Sequence, residues 1–410
     1  MKRNLESRVD DLLKQFPAVV ITGVRQCGKT TLSKQVRPDW AYKDLEKSSD
    51  RRLMLDDPTL FFKEFPGQVI LDEVQLYPDI LRELRSVIDE NREQRNRFIL
   101  TGSSSPELIK GVSDSLAGRV AIIELGTAKM NELYNEELSP IYELLQSPLT
   151  DNFWVELKAI KTRITYEKVM NAFYNGGYPE PSLRENESFS KEWMEAYIDT
   201  YVQRDIRSLF PKLNLEKYQR LIHMLSHLSG SIVNRAEISK SLEVSESAVA
   251  DYIDIANGSY LWRTLPSFAS HVSKSVQKSP KGALRDSGLC LYFQNIHSRG
   301  DLINHPRVGN IFESFVVEEL IKGLQACGTK RLEYYHYRTK NGSEVDLVLK
   351  GPFGILPIEI KMGSSISSSE LRHLKKFLKM EQCSYGLVVS HGEEVYRLAE
   401  NIIHVPVNLI

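Results

Sequence analysis

Short apolar runs without any polar residue recur through the first 125 positions of the chain. They occupy residues 19–21, 69–71, 98–100 and 120–123. Unbroken runs of this length are typical of strands buried on both faces of a parallel sheet, whereas a strand with one solvated face alternates. Charged helical patterns take over near Met130. The pattern therefore predicts an α/β domain with a parallel sheet over residues 1–128.

Helical spacing of apolar residues dominates the middle of the chain and predicts a helical region over residues 129–230. Its aromatic stripe, Trp193, Tyr197 and Tyr201, is more typical of a core than of a base-stacking surface. The sequence of residues 231–270 predicts two short helices followed by a β-wing at 260–265, the pattern of a winged helix. The second helix would expose acidic residues that repel phosphates, which favours a lid or docking role over DNA reading. These acids are Glu246, Asp251 and Asp254.

The last region, residues 271–410, returns to strand-like runs beside a long amphipathic helix. The predicted elements are a helix at 310–320, strands at 344–349 and 356–361, a helix at 371–380 and a strand at 385–389. Strand alternation places Glu359 and Lys361 on one face, and hairpin pairing brings Asp346 beside them. We therefore expect a second α/β domain with an acidic cluster on its sheet.

The composition is that of a soluble protein of several domains in a reducing compartment. The 410 residues exceed what one core accommodates, and the net charge of -1 excludes a polycation that coats nucleic acid. The four cysteines lack C-x-x-C spacing, which argues against a zinc ribbon and a disulfide framework. No stretch resembles a signal core or a membrane span. We expect a cytoplasmic protein with no membrane partner.

Positive charge is concentrated in one segment, between Arg263 and Arg285. Five lysines and arginines occur there with His271 and without any acidic residue. Such a segment is either a contact for a nucleic-acid backbone or a solvated linker to the last domain.

The most specific motif is a G-x-x-x-x-G-K-T sequence that directly follows the first apolar run. Its glycines let successive backbone N–H groups face phosphates, and the following helix presents its positive end to the same anions. Lys29 would reach the β and γ phosphates, and the Thr30 hydroxyl would bind Mg²⁺. The expected nucleotide-binding residues are Gly23, Val24, Arg25, Gln26, Cys27, Gly28, Lys29, Thr30 and Thr31.

Two acids follow the second apolar run, and hydroxyl residues follow the third. Asp72 would hold Mg²⁺ and Glu73 would polarise the attacking water. Thr101 or Ser103 would sense the γ-phosphate or the water, unless this stretch is only a serine-rich turn that caps the next helix. Arg119 is either an arginine finger, acting in its own chain or on a neighbouring copy, or a residue of a surface ion pair.

The C-terminal acids form the second candidate site. Asp346 and Glu359 would ligate Mg²⁺ or Mn²⁺, and Lys361 would orient or deprotonate the attacking water. Glu313, on the preceding helix, would be a further metal ligand. An E-x-K sequence is also common on solvated strand edges, so the pattern alone leaves both interpretations open.

The order of these motifs resembles the AAA-type ATPases. More narrowly, nearly the whole chain resembles a bacterial and archaeal family in which such an ATPase is fused to a C-terminal restriction-endonuclease-like domain, and the C-terminal acids are similar to the PD-(D/E)-x-K phosphodiesterase core. Cys27 departs from the family, which more often has a small aliphatic residue there. The resemblance rests on residues 23–30, 71–75, 100–103, 116–119 and 176–180, on Tyr201 with Arg204 and Asp205, on residues 280–281 with 286–289, and on the C-terminal acids.

This resemblance implies a multidomain α/β protein: an AAA-type P-loop parallel sheet with helices, a helical and winged-helix lid, and a C-terminal α/β restriction-endonuclease-like domain. It implies Mg²⁺-dependent ATP hydrolysis coupled to a nuclease-like domain that acts on DNA or RNA. The alternative is an ATP-dependent switch whose last domain binds a protein or nucleic acid without cutting it. A homo-oligomer or a protein partner is compatible with either.

Overall fold

The structure is a computed structural model that describes residues 1–103, 111–112, 114–184, 186–201, 206–269, 279–340, 342–364, 366 and 368–410. This part of the chain forms two compact units. The first consists of Lys2–Ala128 and Gly258–Tyr260, and the second of Met1, Lys129–Asn257 and Leu261–Ile410. The regions predicted over residues 129–230, 231–270 and 271–410 therefore lie together in the second unit, apart from the three residues that join the first.

A five-stranded parallel sheet forms the centre of the first unit. Its strands are β1 (Ala18–Gly23), β2 (Ala41–Asp44), β3 (Val69–Asp72), β4 (Phe98–Ser103) and β5 (Val120–Leu125). They are ordered β2-β3-β4-β1-β5, and every pair is parallel. The carboxyl ends of all five strands therefore meet at one edge of the sheet, and Gly23 and Asp72 lie there.

Helices cover this sheet with one apolar face each. They are α1 (Leu5–Gln15), α2 (Lys29–Val36), α3 (Ser48–Asp56), α4 (Pro58–Glu64) and α5 (Ile80–Glu90). In α5 the buried residues Ile80, Leu81, Leu84 and Ile88 recur at helical spacing and join the core beneath β3 and β4. Each such side chain contributes about 1.5–3 kcal/mol by leaving water.

Three residues from much later in the sequence, Gly258–Tyr260, complete the first unit. The phenol of Tyr260 lies 2.9 Å from the hydroxyl of Thr22 on β1, the residue before Gly23. Thr22 also donates to the carbonyl oxygen of Ile123 on β5 at 3.1 Å. Tyr260 has a φ of 58°, in the left-handed region that favours glycine, so the backbone is constrained at this point.

Helices make up the first half of the second unit. In order they are α6 (Met130–Leu133), α7 (Ile141–Leu144), α8 (Phe153–Ala159), α9 (Tyr166–Asn175), α10 (Pro179–Arg184), α11 (Glu187–Thr200), α12 (Arg207–Leu209), α13 (Leu215–His227), α14 (Arg235–Leu242) and α15 (Glu246–Gly258). Along α11 the ring of Trp193 stacks on that of Tyr197, which stacks on Tyr201. Tyr197 and Tyr201 are buried, so these rings pack inside the unit. Arg204 and Asp205, which the family resemblance singled out, lie outside the described residues.

A small antiparallel sheet is formed by one strand before α14 and two strands after α15. Its strands are β6 (Ser231–Ile232), β7 (Trp262–Leu265) and β8 (Lys281–Leu284), in the order β6-β8-β7. The central strand β8 pairs with both neighbours at Lys281, which lies opposite Ile232 on one side and Leu265 on the other. The backbone of Lys281 is therefore held from two directions.

A mixed six-stranded sheet lies beyond it in the chain. The remaining helices are α16 (Ser287–Phe293), α17 (Arg299–Asn304), α18 (Val308–Ala326) and α19 (Ser368–Glu381), and the strands are β9 (Glu333–Arg338), β10 (Glu344–Gly351), β11 (Gly354–Ile360), β12 (Gly386–Ser390), β13 (Tyr396–Ala399) and β14 (Ile402–Pro406). The order β13-β14-β12-β11-β10-β9 combines antiparallel edges with parallel pairs in the middle. This sheet is the separate C-terminal α/β part of the expected multidomain fold.

Buried apolar side chains of α19 pack on β10 and β12. Leu374 and Phe377 of α19 join Val348 and Val388 in one core. Among the described ranges, no helix combines the length and the apolar character that crossing a membrane needs.

Candidate nucleotide site and C-terminal acidic site

The loop after β1 has a backbone that only glycine can adopt at its first position. Gly23 has a φ of 149°, and a Cβ atom there would lie 2.1 Å from the carbonyl oxygen of Leu125 on the neighbouring strand. Gln26 and Gly28 also have positive φ values, of 59° and 97°. Alternation of this kind turns successive N–H groups toward one side, which is the geometry that binds anions.

The loop lysine is buried against its own loop. The Nζ atom of Lys29 donates to the carbonyl oxygens of Gly23 at 3.1 Å and Val24 at 2.9 Å. Lys29 begins α2, so its ammonium and the first N–H groups of that helix are close together. Cys27 is buried and its thiol donates to the carbonyl oxygen of Leu125 at 3.3 Å, whereas Gln26 and Thr31 are exposed.

Asp72 is the centre of the polar site at the edge of the sheet. It is buried, and it accepts hydrogen bonds from the hydroxyls of Thr30 at 2.8 Å and Tyr42 at 2.6 Å. The hydroxyl of Thr101 donates to the other oxygen of the same carboxylate. The structure therefore brings together three of the residues that the sequence assigned to this site, from α2, β3 and β4.

Tyr42 is a residue of this site that sequence reasoning missed. It lies on β2, beside β3, and Lys34 of α2 lies 3.4 Å above its ring. Burial and the neighbouring Asp72 raise the pKa of Tyr42 well above its usual value, so the phenol stays protonated and donates. Its only signal in the sequence is a tyrosine in a short strand without an apolar run.

Glu73 leaves the strand in a left-handed conformation, with a φ of 57°. Its carboxylate accepts a hydrogen bond from the side chain of Gln75, in the short 3-10 helix Val74–Leu76. This conformation directs the chain away from the line of β3 immediately after Asp72. The side chain of Ser103 lies outside the part of the chain that the structure describes.

Arg119 lies at the opposite end of the sheet from the phosphate loop. It precedes β5, whose first residue is in register with Ala18 at the start of β1. Five residue steps, about 17 Å, separate Ala18 from Gly23, which exceeds the reach of an arginine side chain. The guanidinium instead forms two hydrogen bonds with Asp89 of α5, at 2.7 and 2.8 Å. This placement corrects the expectation that Arg119 could act on the nucleotide of its own chain.

Arg3 supports the loop from outside the motif. Its guanidinium donates to the carbonyl oxygens of Cys27 at 2.6 Å and Gly126 at 2.8 Å, so it connects the loop to the residue after β5. Gly126 lies 123 positions after Arg3 in the chain, so no local pattern in the sequence indicates that contact.

In the C-terminal site, Asp346 and Glu359 face each other across the β10–β11 hairpin. Asp346 accepts a hydrogen bond from the backbone N–H of Ile360 at 2.8 Å. One oxygen of Glu359 pairs with Lys361 at 2.9 Å, while its Oε2 is buried and contacts no hydrogen-bond donor among the described residues. Burial and the nearby Asp346 raise the pKa of Glu359 to about 8.

Glu313 is paired with a buried lysine of the same cluster. The Nζ atom of Lys281 lies 2.9 Å from Glu313, 2.8 Å from Glu344 and 3.9 Å from Asp346. Burial alone would lower the pKa of Lys281, but the three carboxylates raise it well above its usual value, so the ammonium stays charged. Burial and the nearby Asp346 raise the pKa of Glu313 to about 8.

In the basic segment that was a candidate for nucleic-acid contact, the described cations form ion pairs within their own unit. Arg263 and Arg285 both pair with the buried Glu318 of α18, Arg263 Nη2 at 3.1 Å and Arg285 Nε at 3.3 Å. Burial would raise the pKa of Glu318, but the two guanidinium groups lower it to about 2. Together with Lys281, three of the five cations are engaged internally. His271 and the other two, Lys274 and Lys278, lie outside the described residues.

Both sites offer oxygen ligands to a divalent cation. Thr30 and Asp72 offer the hydroxyl and carboxylate oxygens that Mg²⁺ prefers beside a phosphate loop. At the C-terminal site, the orphaned oxygen of Glu359 and the neighbouring Asp346 offer a similar edge. In the ranges that the structure covers, no group of three or more His, Cys, Asp or Glu side chains could hold a metal ion. Phosphates or water would therefore supply the remaining ligands.

Three family models match successive parts of the chain. Residues 15–134 match a model described as AAA domain, residues 166–300 match Domain of unknown function (DUF8612), and residues 308–410 match Domain of unknown function (DUF4143). The first match covers the parallel sheet and the loop after β1, so this part of the chain is similar to AAA domains.

The chain is also similar to proteins from bacteria and archaea. "Uncharacterized protein Rv2008c" of Mycobacterium tuberculosis is 29% identical over 415 aligned positions, which cover 100% of this chain and 84% of the relative. "Uncharacterized protein MJ1544" of Methanocaldococcus jannaschii is 25% identical over 351 positions, 81% of this chain and 72% of the relative. Among solved structures, the Walker-type ATPase paby2304 of Pyrococcus abyssi has a TM-score of 0.39 and 12% identity, and the match covers 70% of this chain and 94% of that one.

Proposed function

We propose that this protein binds ATP with Mg²⁺ at the loop after β1 and hydrolyses it there. The observation that carries the proposal is the convergence of Thr30, Thr101 and Asp72 at the carboxyl edge of the sheet, beside the buried ammonium of Lys29. A hydroxyl and a carboxylate in contact next to an anion-binding loop form the donor set that a nucleotide-bound Mg²⁺ requires.

Each residue has a role that its position supports. The loop N–H groups and the start of α2 bind the phosphates, and Lys29 exchanges its carbonyl partners for the β and γ phosphate oxygens. Thr30 and Asp72 hold Mg²⁺, which stabilises charge on the transferred phosphoryl group when bound. Glu73, next to Asp72, orients the attacking water, and Thr101 of the neighbouring strand monitors the γ-phosphate.

ATP turnover by paired variants tests this proposal. Lys29→Ala should abolish nucleotide binding, because the phosphates lose their main counter-charge. Glu73→Gln should retain ATP but lose turnover, typically by a factor of about 100 or more. The matched controls are Lys63→Ala and Glu83→Gln, exposed residues of α4 and α5. Hydrolysis at the wild-type rate by both site variants would refute the assignment.

We further propose that ATP turnover is coupled to metal-dependent cleavage of nucleic acid by the C-terminal α/β part. The succession of α18, the three strands β9 to β11, α19 and β12 supports this, since PD-(D/E)-x-K domains use such an order. Asp346 and Glu359 would hold the cation, and Lys361, paired with Glu359, would orient the water. Arg119 would complete the nucleotide site of a neighbouring copy, because its own loop is out of reach.

One observation favours a second function, an ATP-dependent switch that binds a partner without cutting. The cations expected to contact a nucleic-acid backbone, Arg263, Lys281 and Arg285, are buried in ion pairs within their own unit. A domain of nuclease-like fold can retain its acidic residues for binding alone. In that case the partner would dock on another surface of the second unit.

Cleavage of end-labelled single-stranded and double-stranded DNA and RNA separates these functions. The wild type is assayed in Mg²⁺ and in Mn²⁺, with and without ATP, beside Asp346→Ala, Lys361→Ala and the exposed control Lys330→Ala. Cutting that only the two site variants lose would support the coupled nuclease. No cutting by a preparation that hydrolyses ATP would favour the switch.

A further inference from the structure

The C-terminal acidic cluster contains a cation of its own. Lys281 is the first residue of β8, and its side chain is only 4% exposed. It comes from the small antiparallel sheet, yet its ammonium lies among the acids of α18 and β10. Because the backbone of Lys281 pairs on both sides, with Ile232 and with Leu265, its position is fixed by the sheet.

The four acids fall into two groups by their contacts with positive side chains. Glu313 and Glu344 each lie within 2.9 Å of its ammonium, and Glu344 is also 3.6 Å from Arg338. These two carboxylates therefore have positive partners on the protein. Asp346 lies farther away, at 3.9 Å from the same ammonium.

The second group, Asp346 and Glu359, includes a carboxylate oxygen that has no hydrogen-bond donor among the described residues. The ammonium of Lys361 contacts Oε1 of Glu359 at 2.9 Å. The other oxygen of Glu359, Oε2, is buried and has no donor in the described part of the chain. A buried carboxylate oxygen without a partner is costly, and a bound cation would remove that cost.

We propose that Lys281 is a built-in substitute for a metal ion in one half of the cluster, so that the site takes a single divalent cation, held by Asp346 and Glu359. Glu313 is then the partner of Lys281 and not a metal ligand. A second cation beside Glu313 would lie within contact distance of the buried ammonium of Lys281, and this repulsion disfavours it. The inference rests on the proposed metal site of the coupled nuclease and specifies its stoichiometry and its ligands.

Binding of Mn²⁺ to the full chain tests this inference without any assay of cleavage. The binding is measured as the loss of the paramagnetic resonance signal of the free ion. All variants carry Asp72→Asn and are measured without nucleotide, so that the N-terminal site contributes no ion. The wild-type C-terminal site should bind one equivalent. Glu359→Gln should weaken binding by a factor of ten or more, whereas Glu313→Gln, which keeps the shape of the side chain, should change it by less than about threefold.

Replacement of Lys281 provides the converse test. Lys281→Gln removes the resident ammonium and should admit a second equivalent of Mn²⁺ or tighten the first by a factor of ten or more. If this variant does not fold, the comparison of Glu313→Gln with Glu359→Gln decides alone. An equal loss of Mn²⁺ in those two variants would overturn the role of Lys281 and leave the proposed metal site intact. No Mn²⁺ on the wild-type C-terminal site would overturn the metal site itself, and with it this inference.

Discussion

Replacement of Glu318 by glutamine should destabilise the second unit strongly, because two buried guanidinium groups lose the carboxylate that they share. Arg263 and Arg285 both contact this one carboxylate, and all three side chains are less than 10% exposed. Removal of one member of such a buried group typically costs about 3–5 kcal/mol, since the remaining charges stay out of water.

The acidity of Glu318 gives an independent magnitude for the same interaction. Its ordinary pKa is 4.5, and the two arginines lower it to about 2 in the folded protein. A shift of that size corresponds to about 3 kcal/mol in favour of the folded state at neutral pH. Because the folded pKa is the lower one, this contribution is complete above the unfolded value of 4.5 and is lost as the pH falls toward 2.

Urea unfolding followed by tryptophan fluorescence measures both effects, since Trp262 is buried next to Arg263 on β7. At pH 7 the free energy of unfolding of Glu318→Gln should be about 3 kcal/mol below that of the wild type. The difference should shrink as the pH is lowered from about 4.5 toward about 2. Glu393→Gln, at an exposed position, should match the wild type throughout. A Glu318→Gln deficit below about 1 kcal/mol at neutral pH, or one that does not change with acid, would refute the reasoning.

Two further predictions concern the first unit. Gly23→Ala should lower the free energy of unfolding of this unit by about 2–5 kcal/mol, because a Cβ atom would lie 2.1 Å from the backbone of Leu125. Thermal unfolding measures the loss, and a melting temperature within the error of the wild type would contradict it. Arg119→Ala should leave ATP turnover unchanged in dilute solution, because its side chain lies at the far end of the sheet, and should lower turnover only at concentrations where copies associate. A loss that is independent of protein concentration would indicate that the arginine acts within its own chain.

The parallel sheet of the first unit was predictable, because strands buried on both faces leave unbroken apolar runs. The end of the sheet at which a residue lies was predictable as well: Asp72 follows its run and Arg119 precedes its run, and in a parallel sheet these positions are at opposite edges. Strand alternation and hairpin pairing predicted Asp346 beside Glu359, and the register of β10 and β11, with Leu347 opposite Ile358, agrees.

Contacts between distant parts of the chain were not predictable in the same way. Lys281 and Arg263 occur in a segment whose composition suggests a solvated surface, and only the fold shows that acids of α18 face them. Tyr42 has no periodic pattern around it, because β2 is short and only partly buried. Single-sequence patterns report which face of an element is buried, and they contain no information on which distant element covers that face.

The contact of Tyr260 with Thr22 has a consequence for the order in which the protein is made. The sheet of the first unit is complete once residue 125 has been synthesised, yet a side chain next to its phosphate loop comes from residue 260. Synthesis at about 5–20 residues per second leaves an interval on the order of 10 s between these two events. During that interval a nascent chain can form the five-stranded sheet but lacks the phenol of Tyr260 beside Thr22. The first unit is therefore finished late in translation, although most of it emerges from the ribosome first.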